Sequence, residues 1–379
     1  MDRPYDIVLY GASGFTGALT ATYLAKHAGP EVRWAIAGRN RTKLEALGVD
    51  VPILYADATD RASLAEVARQ ARVVVTTVGP YVHHGEPLVA ACAEAGTHYL
   101  DLTGEPEFVD RMYLAYDAVA ARTGAKLVHA CGFDSMPWDL GVLYTVERLP
   151  PDVPITVSGF LRARANVSGG TVHSVVAIAS RLRQAAEASA RRRAAEPAPA
   201  GRKVSSRPGG LRWVGGWALP MPTLDPMVVG HSARLLDRYG PDFRYRQHFA
   251  IKSLPAALTL AAGASALLTL AQIPPARAWL LTRRGPGDGP TPEQRARGWF
   301  KATFVGEGGG RRVVTEVAGG DPGYDETAKM LAEAALCLAF DDVPERAGQL
   351  TTASAMGRPL IERLQRAGMT FRVLRESTR

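Results

Sequence analysis

Along its first 130 residues the chain alternates short apolar runs with longer segments of mixed polarity. The runs are Tyr5–Tyr10, Val32–Ala37, Pro52–Tyr55, Val73–Val78, Thr97–Asp101 and Ala125–Ala130, each four to six residues long. Short apolar runs that stop at glycine, proline or polar residues are the pattern of strands buried on both faces. Ala18–Lys26, Arg61–Ala71, His84–Ala95 and Glu105–Arg122 read as the helices between them. Alternation of this kind, with right-handed crossovers, predicts a parallel sheet whose ligands sit beyond the carboxyl ends of its strands. Gly79–Tyr81, Asp101–Glu105 and Cys131–Asp134 are therefore the segments from which chemistry is expected.

After Pro150-Pro151 the rhythm changes. Ile155–Ala165, Phe243–Phe249, Trp299–Val305 and Arg312–Val317 read as strands, the last two joined by a Gly306-Glu-Gly-Gly-Gly310 turn, which predicts a mainly antiparallel sheet with helices on one face. Ser168-Gly-Gly-Thr171 reads as the capped start of a helix running to about Arg193. Arg181–Arg212 carries nine basic residues against two acidic ones, and its Arg191-Arg-Arg193 run and Pro/Ala/Gly-rich sequel are expected to form a solvated loop. Ser253–Ala276 holds 24 residues without a charge, long enough for a bilayer but broken by Pro255, Gly263, Gln272 and Pro274-Pro275. A buried helix, a lid over a greasy site and a helix lying on a membrane all stay open for it, with a true span the least favoured. Helices at Thr327–Phe340 and Ala355–Ala367 close the chain.

A length of 379 residues with 46% apolar and 22% charged residues fits two globular domains and excludes disorder or a simple repeat array. Cys92, Cys131 and Cys337 stand far apart with no CxxC pair, so neither a disulfide framework nor a zinc ribbon is expected, and no metal site is. No basic-then-apolar leader opens the chain, which predicts a cytoplasmic protein. Residues 1–150 carry a net charge of −5 and the remainder a net of +13. Zinc-finger spacing, RNP-like strands and a basic zipper are all missing, so the basic half is not expected to bind nucleic acid.

Gly11-Ala-Ser-Gly14-Phe-Thr-Gly17 lies between the first strand and the first helix. In that setting glycines permit a tight turn, close approach of backbone to a pyrophosphate, and close packing of helix on strand, while the helix start holds the phosphate charge. The second strand ends in Gly38-Arg39-Asn40, where an NAD-binding unit would carry a carboxylate for the ribose hydroxyl. Arg39 suits a 2′-phosphate instead, so NADP is the expected cofactor. Gly11, Ser13, Gly14, Phe15, Thr16, Gly17, Arg39, Asn40, Asp57, Gly79 and Pro80 form the expected cofactor cradle, with Asp57 placed for the adenine. The fold class that follows is α/β: an N-terminal Rossmann-type doubly wound parallel sheet over residues 1–150 and an α+β domain over 151–350. A helix and strand at 351–379 complete the fold.

Together, Gly11–Gly17, Ala37-Gly-Arg39, Val78-Gly-Pro-Tyr81 and Cys131-Gly-Phe-Asp-Ser-Met-Pro-Trp-Asp-Leu-Gly141 resemble the saccharopine dehydrogenase-like oxidoreductases, and more narrowly their actinobacterial trans-acting enoyl reductase branch. Ser168–Thr171, Gly319–Tyr324 and the closing Ala353–Phe371 segment fit as well. The resemblance implies NADP-dependent reduction of a carbon–carbon double bond on a lipid or polyketide acyl intermediate. It also implies an acyl-thioester substrate that a carrier protein can present. Hydride would add to the β-carbon while a donor stabilises the enolate and a proton reaches the α-carbon. Tyr81 is the first candidate donor, followed by Asp134, Ser135 and Glu105. Against these roles, Tyr81 can simply pack, and Asp134 or Ser135 can cap the helix near Met136. Two other readings stand beside the first. One is an amino or imino acid dehydrogenase, which would need buried arginines such as Arg162 and Arg164 for substrate carboxylates. The other is a non-catalytic nucleotide-binding protein on membranes. Peripheral contact with the inner face of the plasma membrane and a homodimer are further expectations.

Overall fold

The first strand, β1 (Tyr5–Tyr10), shows why the N-terminal half folds as it does: Ile7, Val8 and Leu9 are inaccessible on both faces. The computed structural model describes residues 3–164, 176, 178–213, 217–221, 223–251, 253–273, 275–276, 278–279 and 289–378. These residues form two units: residues 1–134, 184–196 and 323–367 in one, residues 135–183, 197–322 and 368–379 in the other. The chain leaves the first unit at Asp134 rather than near residue 150, and the second is not contiguous.

In the first unit β1 pairs with β2 (Trp34–Gly38) and β4 (Ala71–Thr76), and β2 with β3 (Ile53–Tyr55). β5 (His98–Asp101) and β6 (Lys126–Val128) extend the sheet beyond β4. The strands run parallel in the order 3-2-1-4-5-6, that of doubly wound dinucleotide-binding sheets. Helices α1 (Phe15–His27), α2 (Arg41–Glu45), α3 (Arg61–Gln70), α4 (Tyr81–His84), α5 (Glu86–Ala95) and α6 (Pro106–Thr123) make the connections. The helix expected over His84–Ala95 begins at Glu86, because Gly85 is pressed against the Phe108 ring and the chain turns there.

The second unit begins with α7 (Met136–Val146). Its sheet contains β7 (Ile155–Arg164), β8 (Lys203–Pro208), β9 (Arg212–Trp213), β10 (Trp217–Pro220) and β11 (Asp242–Ile251). A hairpin of β12 (Trp299–Gly308) and β13 (Arg311–Gly319) follows, with its turn confined to Gly309-Gly310, both at positive φ. Gly306, Glu307 and Gly308, expected in the turn, are strand residues paired with Val313, Arg312 and Arg311. The sheet is mainly antiparallel, but β11 runs parallel to both β7 and β8. α7 and α9 (Asp225–Leu235) cover one face, over a core that includes Trp138, Tyr245, Phe300 and Phe304.

The basic segment is the largest departure from expectation. Arg191–Arg193 lie in α8 (Leu182–Ala195), which from Gln184 onward belongs to the first unit; residues 197–202 form the expected loop, and β8 follows where more loop was expected. Arg192 is only 5% exposed, with Nη1 3.1 Å from Asp110 Oδ1 and its guanidinium 4.3 Å over the Tyr113 ring. Burial is tolerated here because the charge is paired and stacked. Ser168–Thr171 lie outside the described residues.

The uncharged segment forms α10 (Leu254–Gln272), with α11 (Pro292–Arg295) further on. Leu258, Leu270 and Ile273 are exposed, whereas Ala271 packs on Val176 and Ala179. Among the described residues no helix is long and apolar enough to cross a membrane. The chain then returns to the first unit as α12 (Asp325–Phe340), adds a seventh parallel strand β14 (Gly348–Leu350) beside β6, and continues through α13 (Thr352–Ala355) and α14 (Gly357–Arg366). Its last strand, β15 (Thr370–Thr378), pairs with β13 in the second unit.

Removing one partner of a buried ion pair leaves the other charge unpaired, at a cost of about 3 kcal/mol. Arg192→Ala should therefore lower unfolding stability by about that amount in urea titrations, and Arg193→Ala, at an exposed site, by less than about 0.5 kcal/mol. Equal losses would remove the Arg192–Asp110 pair from the account of how α8 is held.

Candidate functional site

The turn after β1 is shaped by backbone crowding. Gly11 adopts φ +89°, and a Cβ there would lie 2.6 Å from Val78 Cγ2. At Gly17 a Cβ would run into the Gly11 carbonyl oxygen, which also accepts from Gly14 N at 3.0 Å and Thr77 Oγ1 at 3.1 Å. Ser13 and Gly14 are exposed at the start of α1, which has no side-chain cap and no acidic residue in its first turn. That start is left open to an anion, as a pyrophosphate cradle requires. Phe15 turns edge-on against Tyr324 with centroids 5.0 Å apart, and the Thr16 carbonyl accepts from Thr20 Oγ1.

Beyond β2, Arg39 is exposed and closes no hydrogen bond or ion pair among the described residues. Asn40 caps α2, accepting from Lys43 N at 3.0 Å. Asp57, after β3, accepts from the amide and hydroxyl of Thr59, which hold its carboxyl below the usual range, as does the more distant charge of Arg39. The Gly11–Gly17 turn, Arg39 and Asp57 therefore all lie at the carboxyl edge of one sheet. These residues fit a dinucleotide carrying a 2′-phosphate: the crowded glycine turn admits close approach, and Arg39 has an uncommitted guanidinium.

At the end of β4, Gly79 and Pro80 lead into α4, whose first amides are claimed from a distance. Glu105 accepts from Tyr81 N at 2.9 Å and Val82 N at 2.7 Å, and its burial raises its carboxyl against those bonds. The Tyr81 hydroxyl is also committed, donating to Thr76 O at 3.1 Å and accepting from Leu102 N at 3.2 Å. Its ring packs against Phe108, and burial pushes its pKa well above 10. Tyr81 thus ties β4 to the chain after β5.

A buried cluster centred on Asp101, the first residue of the expected Asp101–Glu105 segment, lies beside it and brings in His129, which was not expected there. Asp101 is inaccessible and accepts from Tyr99 OH (3.0 Å), Thr103 N (3.0 Å) and Ala130 N (2.9 Å), with His129 Nδ1 2.6 Å away. His129 rests edge-on against Tyr99 and Phe108, and its buried Nε2 has no hydrogen-bond partner among the described residues. Ala130 adopts φ 59°, a left-handed conformation uncommon without glycine, and its amide reaches Asp101. The only sequence signal was a histidine and an aspartate in otherwise apolar strands. Cys131 is a buried wall residue whose thiol contacts Val128 O at 3.4 Å.

Asp134 follows, beside Gly104, where a Cβ would lie 3.5 Å from its Oδ1. The surrounding protein and then the charge of Asp101 raise its carboxyl from 3.8 to about 6, although the side chain reaches solvent and water offsets part of that desolvation. Ser135 precedes α7, and its carbonyl accepts from Trp138 N and Asp139 N. Its buried hydroxyl has no partner among the described residues. His83 and His84 are exposed, and no cluster of metal-ligating side chains occurs among the described residues.

A doubly wound sheet with an open glycine turn at one strand end and titratable groups at its neighbours defines a dinucleotide-dependent oxidoreductase. Residues 7–128 match the saccharopine dehydrogenase NADP-binding domain. A Mycobacterium tuberculosis protein provisionally named a trans-acting enoyl reductase is 39% identical over 98% of both chains. Proteins named trans-acting enoyl reductase from Mycobacterium ulcerans and Mycobacterium bovis are 35% and 34% identical over 98% and 99% of both chains. Among solved structures, the apo saccharopine dehydrogenase (L-Glu forming) of Saccharomyces cerevisiae shares the fold, with a TM-score of 0.56 over 99% of this chain and 100% of that one at 11% identity. The chain belongs to the saccharopine dehydrogenase-like oxidoreductases, in their trans-acting enoyl reductase branch, and its cofactor is NADP.

The raised carboxyl of Asp134 has a signed consequence. Between 3.8 and about 6 the folded protein holds a proton that the unfolded chain has lost, so stability falls as pH climbs through that window. Asp134→Asn should melt above the parent at pH 8, with the gap closing as pH drops towards 3.8. A gap of constant size across that range would show that the carboxyl is not perturbed.

Proposed function

We propose that the chain reduces the double bond of an α,β-unsaturated acyl thioester on a lipid or polyketide intermediate, acting in trans on a substrate presented by a carrier. The observation that carries this reading is the full-length likeness, at 34–39% identity, to proteins named trans-acting enoyl reductases. Arg162 and Arg164, the arginines expected to meet an amino acid's carboxylates, are exposed on β7.

In this reading Gly11, Ser13, Gly14, Phe15, Thr16 and Gly17 receive the pyrophosphate. Arg39 grips the 2′-phosphate, Asn40 shapes the turn beside it, and Asp57 meets the adenosine. Gly79 and Pro80 form the wall next to the nicotinamide. When bound, NADPH supplies the hydride. The chain's own part is the proton: Asp134, with its carboxyl raised towards neutrality, holds one at the strand ends, and the unspent hydroxyl of Ser135 is a second donor. Tyr81 is a positioning residue, since its hydroxyl is occupied on both sides. The exposed Leu258, Leu270, Ile273 and Trp279 rest on an apolar surface, the lipid leaflet from which a long acyl chain is drawn.

Stopped-flow oxidation of NADPH should proceed with enoyl thioesters and not with imino acids. Arg39→Asp should weaken NADPH at least about tenfold while improving NADH, and Asp134→Asn should lower kcat by about 10²-fold with NADPH affinity kept. Turnover of imino acids alone would overturn the reading, and an unchanged nucleotide preference would remove Arg39 from the phosphate. Sedimentation with anionic vesicles tests the lipid contact: replacing Leu258 and Leu270 by Asp should release a protein that otherwise pellets, and undiminished pelleting would discard that role.

A further inference from the structure

β8 joins the second unit's sheet parallel to β11, and the register gathers four cations and one carboxylate, with one like-charged pair directly opposed. Lys203 lies opposite Asp242, Ser205 opposite Arg244, and Arg207 opposite Arg246. Directly opposed residues on paired strands project from the same face, and every basic side chain in this set is exposed. Asp242 is committed to Arg244, with oxygen–nitrogen distances of 2.9 and 3.2 Å. Arg207 donates to Ser205 Oγ at 3.2 Å, but neither Arg207 nor Arg246 has a carboxylate partner among the described residues. Two guanidiniums facing each other across a strand pair without an anion between them are destabilising.

These residues line an open cavity of about 650 Å³, with four cations against one carboxylate. That volume is within the range of small-molecule sites. The chain after β8 is pressed down onto the sheet, since a Cβ at Gly209 would overlap the His248 ring, and Gly210 leaves the rim bare. The cavity belongs wholly to the second unit, so it is not the dinucleotide turn of the first.

We propose that this cavity binds the phosphorylated end of a pantetheine thioester, with Arg207 and Arg246 gripping phosphate oxygens and Lys203 and Ser205 adding donors. Guanidinium forks match phosphate in pairs, and a phosphate anion between Arg207 and Arg246 relieves their repulsion. The identity of the ligand rests on the thioester reading above; the anion site rests on the register alone. The phosphate belongs either to CoA or to the phosphodiester of a carrier-protein arm.

The test uses the full chain saturated with NADPH, so that the dinucleotide site is filled. CoA and free phosphopantetheine are titrated by calorimetry, and melting is followed with and without each. CoA should bind, raise the melting temperature and weaken at least tenfold as salt rises from about 50 to 200 mM. Arg246→Glu sets a carboxylate opposite Arg207, so the unliganded variant should melt no lower than the parent while the CoA-induced rise disappears. For the same variant, KM for an enoyl-CoA should rise at least tenfold, and KM for the matching N-acetylcysteamine thioester should not change. Competition by a phosphopantetheinylated carrier protein, absent with its unmodified form, assigns the site to carrier-borne substrates; binding of CoA without that competition assigns it to CoA. Absence of binding by CoA and phosphopantetheine, or binding unchanged in Arg246→Glu, would overturn the proposal even if the N-acetylcysteamine thioester turns over. Binding that Arg246→Glu abolishes, with no enoyl thioester reduced, would keep the cavity and discard the enoyl reading.

Discussion

One buried carboxylate holds the reactive edge of the first unit together. Asp101 takes bonds from its own strand, from the loop after it and from the end of β6, and it lies against the His129 ring. A carboxylate without solvent is tolerated only where donors surround it. Those donors come from segments 28 or 29 residues away in the chain as well as from next-but-one neighbours. The arrangement fixes where the chain leaves β6, imposes the left-handed turn at Ala130, and so sets the direction from which Asp134 and Ser135 arrive. Its negative field also adds to the burial that lifts the Asp134 carboxyl. Without Asp101 the strand ends would lose this geometry, and the Asp134 carboxyl would lose the smaller of the two influences that raise it.

The fold was legible wherever a pattern repeats. Alternating apolar runs and helices are dictated by burial on both faces of a parallel sheet, and the glycine turn by backbone contacts that any side chain would break. β14 was invisible because three residues, Gly348–Leu350, carry too little periodicity to stand out, and their place is decided by the open side of β6. The arginine run misled for a related reason. Three consecutive arginines look equivalent in a chain, but on a helix they point about 100° apart, so one of them can face Asp110 while its neighbours face water. β8 was hidden among prolines and glycines, since an edge strand needs little apolar character when one face is solvated.

The site was legible in position more than in role. Strand ends are where ligands of such sheets bind, and Gly11–Gly17, Arg39, Tyr81 and Asp134 were found there from spacing alone. Roles depend on which hydrogen bonds are already spent, and spacing carries no record of that. Tyr81 looked like a donor because it directly follows Gly79-Pro80 at a strand end; its hydroxyl bonds to Thr76 and Leu102. His129 drew no notice because a histidine in a strand is usually just packed. Its significance lies in an aspartate 28 residues earlier, a relation that exists only after folding.

The path of the chain between the two units has a consequence for how the protein can be dissected. Each unit is assembled from three separate stretches, and the last parallel strand of the first unit is supplied more than 200 residues after its neighbour β6. A fragment ending at Asp134 would contain the whole glycine turn and yet present the backbone of β6 as a raw border, a template for self-association. Limited proteolysis or a premature stop would therefore not liberate a working nucleotide-binding half. Shuffling modules among relatives would have to exchange interleaved pieces rather than a front and a back.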